Sequence, residues 1–211
     1  MKRILCFGDS NTYGYIPGGG GRYGHLIRWP KVLQKHLGDS WEVIEEGLNG
    51  RTTVTDDPIE GSYKNGRRYW TACLESHWPL DAVVLMLGTN DLKARFNKSA
   101  NEIALGNAVL INDFKHFCQS RCVVNPYFVL MCPTHVLDSS TLPERFAGAP
   151  EKSTRLPLEF KKVASETHVD CFDAGSVVSP SEIDGFHLDE HAHQALGEAV
   201  FEFLDSSLKI T

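Results

Sequence analysis

The sequence predicts an α/β fold built on a five-stranded parallel sheet with helices packed on both faces. Two observations carry this. Short apolar runs alternate with longer amphipathic stretches along the chain, and the apolar runs are continuous, as in strands buried on both sides. Several runs also stop at a glycine followed by short polar residues, as at Gly8-Asp9-Ser10 and Gly88-Thr89-Asn90. Polar groups are thereby placed at the carboxyl ends of strands, where such sheets bind ligands.

In order, the predicted strands are Lys2–Phe7, Glu42–Glu45, Ala82–Leu87, Tyr127–Cys132 and Asp170–Phe172. The predicted helices are Arg28–Leu37, Tyr69–His77, Ala100–Cys118, Glu151–Glu166 and Glu190–Ser206. Strands separated by helices require right-handed crossovers and hence parallel neighbours. The expected arrangement is a three-layer, flavodoxin-like fold with strand order 2-1-3-4-5, forming a single domain over residues 1–211. Gly18 to Gly21 reads as a flexible loop, since it lacks the Lys-Ser/Thr and the preceding strand of a phosphate-binding loop. The segment Thr134 to Pro150, with Pro143 and Pro150 inside it and Pro133 before it, is long for a βα connection. Long loops in compact domains are often functional, so it is expected to restrict a pocket or to make a subunit contact.

Composition narrows the function classes. A 211-residue chain with 42% hydrophobic residues has room for a full core. A net charge of −6 disfavours nucleic acid or an anionic membrane as partner, and no run reaches the ~18 apolar residues of a membrane span. Met1-Lys2-Arg3 leads straight into a strand-like run without a cleavage-like site, so a cytoplasmic location is expected. The six cysteines, Cys6, Cys73, Cys118, Cys122, Cys132 and Cys171, then read as reduced and inert. Cys118 and Cys122, four apart on a predicted helix, lack further ligands at metal spacing.

Four segments carry the chemistry. Ser10 lies just behind the first strand and can point its hydroxyl into a crevice, although Gly-Asp-Ser is also an ordinary helix entrance. Asp184-Gly185-Phe186-His187 places a carboxylate and an imidazole three residues apart. A nucleophilic serine needs a base, and the base needs a group that fixes its tautomer. The tetrahedral intermediate needs preset donors for its oxyanion. The N–H of Ser10, the N–H of Gly50 and the side-chain amide of Asn90 provide three.

These segments resemble the blocks of the SGNH, or GDSL, hydrolases in order and spacing: Gly8-Asp9-Ser10, Gly50, Gly88-x-Asn90-Asp91 and Asp184-x-x-His187. The strings Cys6-Phe7-Gly8-Asp9-Ser10, Ile44-Glu45-Glu46-Gly47-Leu48, Arg51-Thr52-Thr53, Met86-Leu87-Gly88-Thr89-Asn90-Asp91-x-Lys93 and Phe172-Asp173-Ala174-Gly175-Ser176-Val177 resemble the small intracellular arylesterase/acyltransferase, or perhydrolase, branch. The resemblance implies Ser10 as nucleophile, His187 as base, Asp184 as its orienting group, and Ser10, Gly50 and Asn90 as oxyanion hole. It also implies a serine carboxylester hydrolase acting on short-chain acyl esters, with acyl transfer to alcohols or peroxide as an extension. Neither a metal nor an organic cofactor is required. Asn11 departs from the pattern, standing where the family usually has leucine. Asn11, Tyr13, Tyr15 and Phe186 are the candidate substrate-binding residues. A pocket favouring an apolar acceptor over water would be narrowed by self-association, so a homo-oligomer is expected.

Two other readings compete. His187-Leu188-Asp189-Glu190-His191 matches an inverted zinc-hydrolase motif, in which His187 and His191 would share a helix face and bind Zn²⁺. His193 beside it reads as solvated helix surface. A flavodoxin-like binding module without catalysis is the other, since fold does not fix function. Neither explains why Ser10, Gly50 and Asn90 fall behind strands.

Overall fold

The computed structural model describes residues 1–139 and 141–210. Its strands are β1 (Lys2–Gly8), β2 (Trp41–Gly47), β3 (Ala82–Met86), β4 (Tyr127–Cys132) and β5 (Asp170–Asp173). All pairs are parallel, in the order β2-β1-β3-β4-β5, as expected. The helices are α1 (Ser10–Tyr13), α2 (Trp29–Leu37), α3 (Gly66–His77), α4 (Ala100–Ser120), α5 (Ala149–Ser153), α6 (Leu156–Glu166) and α7 (Glu190–Leu208).

Successive side chains of a strand point to opposite faces, which divides the core in two. Leu5, Phe7, Val83 and Leu85 pack with Trp70, Leu74, Leu110, Phe114 and Phe160 of α3, α4 and α6. Ile4, Cys6, Val84 and Met86 pack with Trp29, Leu33, Leu196 and Val200 of α2 and α7. The continuous apolar runs of β1 and β3 are therefore explained by burial on both sides. Among the described residues no helix is long and apolar enough to cross a membrane.

Caps set several helix boundaries. Asn65 accepts the Arg67 N–H at 3.0 Å, starting α3 three residues before the predicted Tyr69. Ser99 and Glu102 form a reciprocal capping box on α4. The predicted helix Glu151–Glu166 is two helices, with Pro157 in the first turn of α6. Proline lacks an N–H and disfavours helical backbone at the residue before it, so the chain breaks and restarts there.

The cysteines are free, and Cys6, Cys73, Cys118 and Cys132 are buried. Cys122 does not share the helix of Cys118: α4 ends at Ser120, and Cys122 is exposed with φ +53°. His193 also departs from expectation. It is fully buried where α7 packs on α2, and its Nδ1 accepts the Trp29 N–H at 3.3 Å, one of the unpaired donors of the first turn of α2. Burial, the largest influence, pushes its imidazole down to about 4.

Candidate active site

The chain leaves β1 at Gly8 and turns at once into α1. Asp9 caps that turn by accepting the Asn11 N–H at 3.0 Å, which presents Ser10 at the carboxyl edge of the sheet. The turn rests directly on the end of β2: a Cβ at Gly47 would stand 2.1 Å from the Tyr13 nitrogen, so only glycine admits this approach. Burial raises the Asp9 carboxyl above its ordinary range, against the opposing bond from Asn11 N–H.

The loop before α7 delivers the other two groups. His187 Nε2 lies 2.9 Å from Ser10 Oγ, and its Nδ1 lies 2.7 Å from Asp184 Oδ2. Asp184 Oδ1 accepts the N–H groups of His187 and Phe186 at 3.1 and 3.3 Å, while Oδ2 also accepts the Gly18 N–H at 3.2 Å. Burial works to raise the Asp184 carboxyl, but its bond to His187 and these amides outweigh it and hold it below the usual range. The glycine loop is thereby tied to the site through Gly18.

Asn11 is 3% exposed and does not line the cleft. Its Nδ2 donates to the Phe186 carbonyl and its Oδ1 accepts the Leu188 N–H, both at 3.0 Å. The amide thus clamps the backbone on either side of His187. Tyr13 also stays outside the cleft, its ring against the Arg22 guanidinium at 4.5 Å. Tyr15 and Phe186 do line it, flanking the His187 ring at centroid distances of 4.6 and 4.2 Å.

The cleft, about 390 Å³, brings Ser10, Gly50, Asn90, Asp184 and His187 together. Gly50 has φ +78°, and Asn90 opens a helical turn after β3 with its Nδ2 3.4 Å from Asp9 Oδ2. The long Thr134–Pro150 segment contributes Thr141, Pro143, Arg145 and Phe146 to the wall; its Ser140 lies outside the described residues. Phe146 packs on Phe186 at 4.5 Å.

Sequence reasoning missed the charged groups of the cleft. Lys93, 2% exposed, lines it with Glu60. Lys93 Nζ lies 2.6 Å from Glu60 Oε1 and 3.8 Å from Asp57 Oδ2, and Arg95 Nη2 lies 2.7 and 2.5 Å from the same two atoms. Lys93 stood in the family-like string Gly88-Thr89-Asn90-Asp91-x-Lys93 with no role assigned to it, and no local pattern marks Glu60.

The zinc reading fails on geometry. Asp189 caps α7 by accepting the Ala192 N–H at 2.8 Å, so the helix starts at Glu190 and His187 lies outside it. Both ring nitrogens of His187 face Ser10 and Asp184, and His191 is exposed. Among the described residues, one other trio, Glu46, Cys73 and His77, holds ligand-type atoms within 4.8 Å of one another. It lies outside the cleft, and burial and Glu46 push its thiol well up.

The chain is similar to known proteins along nearly its whole length. The family model of GDSL-like lipases and acylhydrolases matches residues 6–195. The native M. smegmatis aryl esterase superposes with a TM-score of 0.92 at 39% identity, covering 98% of this chain and 99% of that one. A carbohydrate acetylesterase from Sinorhizobium meliloti gives 0.92 at 34% identity, with 98% and 100% covered. A putative arylesterase from Agrobacterium tumefaciens str. C58 gives 0.89 at 36% identity, with 98% and 99% covered. No curated protein matches. A parallel sheet carrying its polar groups at one edge, with these likenesses along its whole length, defines a serine ester hydrolase. The chain belongs to the GDSL-like lipase/acylhydrolase family.

Proposed function

We propose that this chain acts as a single cytoplasmic domain that cleaves short-chain acyl esters through an acyl-enzyme on Ser10. The observation that supports this most is the unbroken contact from Ser10 Oγ through His187 to Asp184, at 2.9 and 2.7 Å. Ser10 attacks the ester carbonyl while His187 Nε2 takes its proton. Asp184 accepts from Nδ1–H, fixing the tautomer and stabilising the imidazolium. The oxyanion is held by the N–H groups of Ser10 and Gly50 and the amide of Asn90. His187 then protonates the leaving alcohol and activates the water that releases the acid.

Added alcohol can take the place of water at the second step. The apolar side chains of Tyr15, Phe146, Ile183 and Phe186 in the cleft favour such an acceptor over water. The test is p-nitrophenyl acetate turnover in dilute aqueous alcohol, with the ratio of new ester to free acid measured. Turnover with both products supports the full reading. Free acid alone at every alcohol concentration would leave a plain hydrolase, and no turnover would overturn the function.

A further inference from the structure

A charged cluster with no part in acyl transfer borders the cleft and lines it through Glu60 and Lys93. Two carboxylates, Asp57 and Glu60, meet two cations, Lys93 and Arg95. Burial works to raise both carboxyls, but the bonds from Arg95 and from the Glu60 and Ile59 N–H groups hold Asp57 at about 2, and those from Lys93 and Arg95 hold Glu60 below its ordinary value. Burial, the largest influence, lowers the Lys93 ammonium against the bond from Glu60. Two acidic and two basic side chains balance one another in the cluster, so an uncharged partner suits it better than an ion.

Its open valences are specific. Lys93 and Arg95 both bind Glu60 through Oε1. Among the described residues nothing donates to Oε2, which faces the oxyanion loop: a Cβ built on Gly50 would stand 2.5 Å from it. Lys93 has three N–H groups and uses one in a hydrogen bond, to Glu60. An acceptor and a donor are thus presented side by side in the cleft, by a carboxylate pinned by two cations and a lysine that is 2% exposed. The neutral group that satisfies both is an alcohol hydroxyl, which donates to a carboxylate oxygen and accepts from an ammonium.

We propose that Glu60 and Lys93 form a hydroxyl-binding subsite beside the oxyanion loop, selecting esters whose alcohol portion carries a further free hydroxyl. The inference rests on the ester-hydrolase reading above. A short acyl group leaves most of a cleft of about 390 Å³ to the alcohol portion, which is why the hydroxyl is assigned there.

The experiment compares 2-hydroxyethyl acetate with propyl acetate, which differ by hydroxyl against methyl. Each kcat/KM is normalised to the rate of hydroxide-catalysed hydrolysis of the same ester. The wild-type ratio is expected to be about 10-fold or more, the range for a hydrogen bond to a charged group. Glu60→Leu should bring it near one, and Glu60→Gln, which keeps shape but makes a weaker neutral bond, should leave it in between. Both esters are measured on one preparation, so any misfolded fraction cancels from the ratio. A wild-type ratio near one, or a high ratio unchanged in both variants, would overturn the subsite. Cleavage of p-nitrophenyl acetate but neither test ester would overturn the subsite alone. Cleavage of none of the three would overturn the esterase reading itself.

Discussion

His187 Nε2 stands 2.9 Å from Ser10 Oγ although 177 residues separate them in the chain. That contact predicts that Ser10→Ala lowers kcat by on the order of 10⁵-fold or more, because no other group supplies an activated hydroxyl. After treatment with a serine-directed phosphonate, mass spectrometry should find one adduct, on the peptide containing Ser10. An adduct on Ser176 or Ser179 would reassign the nucleophile.

Asn90→Ala should lower kcat by ~10²–10³-fold with little change in KM, as for a donor used mainly in the transition state. Steady-state kinetics on p-nitrophenyl acetate decide the point. A change confined to KM would move Asn90 to ground-state binding.

The Asn11 clamp makes a separate prediction. Asn11→Leu restores the residue usual in the family but strands the Phe186 carbonyl and the Leu188 N–H, both satisfied by Asn11. Freed from it, the His187 backbone loses its fixed distance to Ser10. We expect kcat to drop about 10-fold or more with KM nearly unchanged, and the phosphonate to react more slowly with Ser10. Kinetics equal to wild type would show that the loop is held without the amide.

Activity should survive dialysis against a strong chelator, since both ring nitrogens of His187 are engaged by Ser10 and Asp184. Loss restored by added Zn²⁺ would revive the metal reading.

His193 predicts an acid weakness in stability. Its imidazole is held down at about 4 in the fold, from 6.5. Between these values the unfolded chain takes up a proton that the folded one refuses, so stability falls as pH drops through that window. The loss approaches about 3 kcal/mol at pH 4. Asp91 acts in the opposite sense over much of the same range, because burial raises its carboxyl to about 6. Urea unfolding of wild type and His193→Gln at pH 7 and pH 4.5 isolates the histidine: the variant should lose less stability on acidification. Equal losses would refute this role.

The strands were legible because each of β1, β3 and β4 is a run of apolar residues buried on both faces, a signal that needs no knowledge of neighbours. The break between α5 and α6 was legible in principle too, since Pro157 announces it, but helical composition on either side masked it. Ser10, Asp184 and His187 stood out because each lies at a turn that local residues build: Gly8 and Asp9 for the first, Gly185 for the others.

The sequence by itself determined the layering and the residue types of the site, because these follow from burial and local turn chemistry, and the strand order followed from the fold class they indicate. Only the tertiary structure decided which neighbours those residues meet. It turned Asn11 from a candidate substrate ligand into a clamp on the His187 loop. It buried His193 against Trp29, and it assembled Asp57, Glu60, Lys93 and Arg95 into one neutral cluster. A charged side chain carries no mark of its partner in the chain. Its role is set by distance and burial, which arise only when the crossovers bring remote segments to the same edge of the sheet.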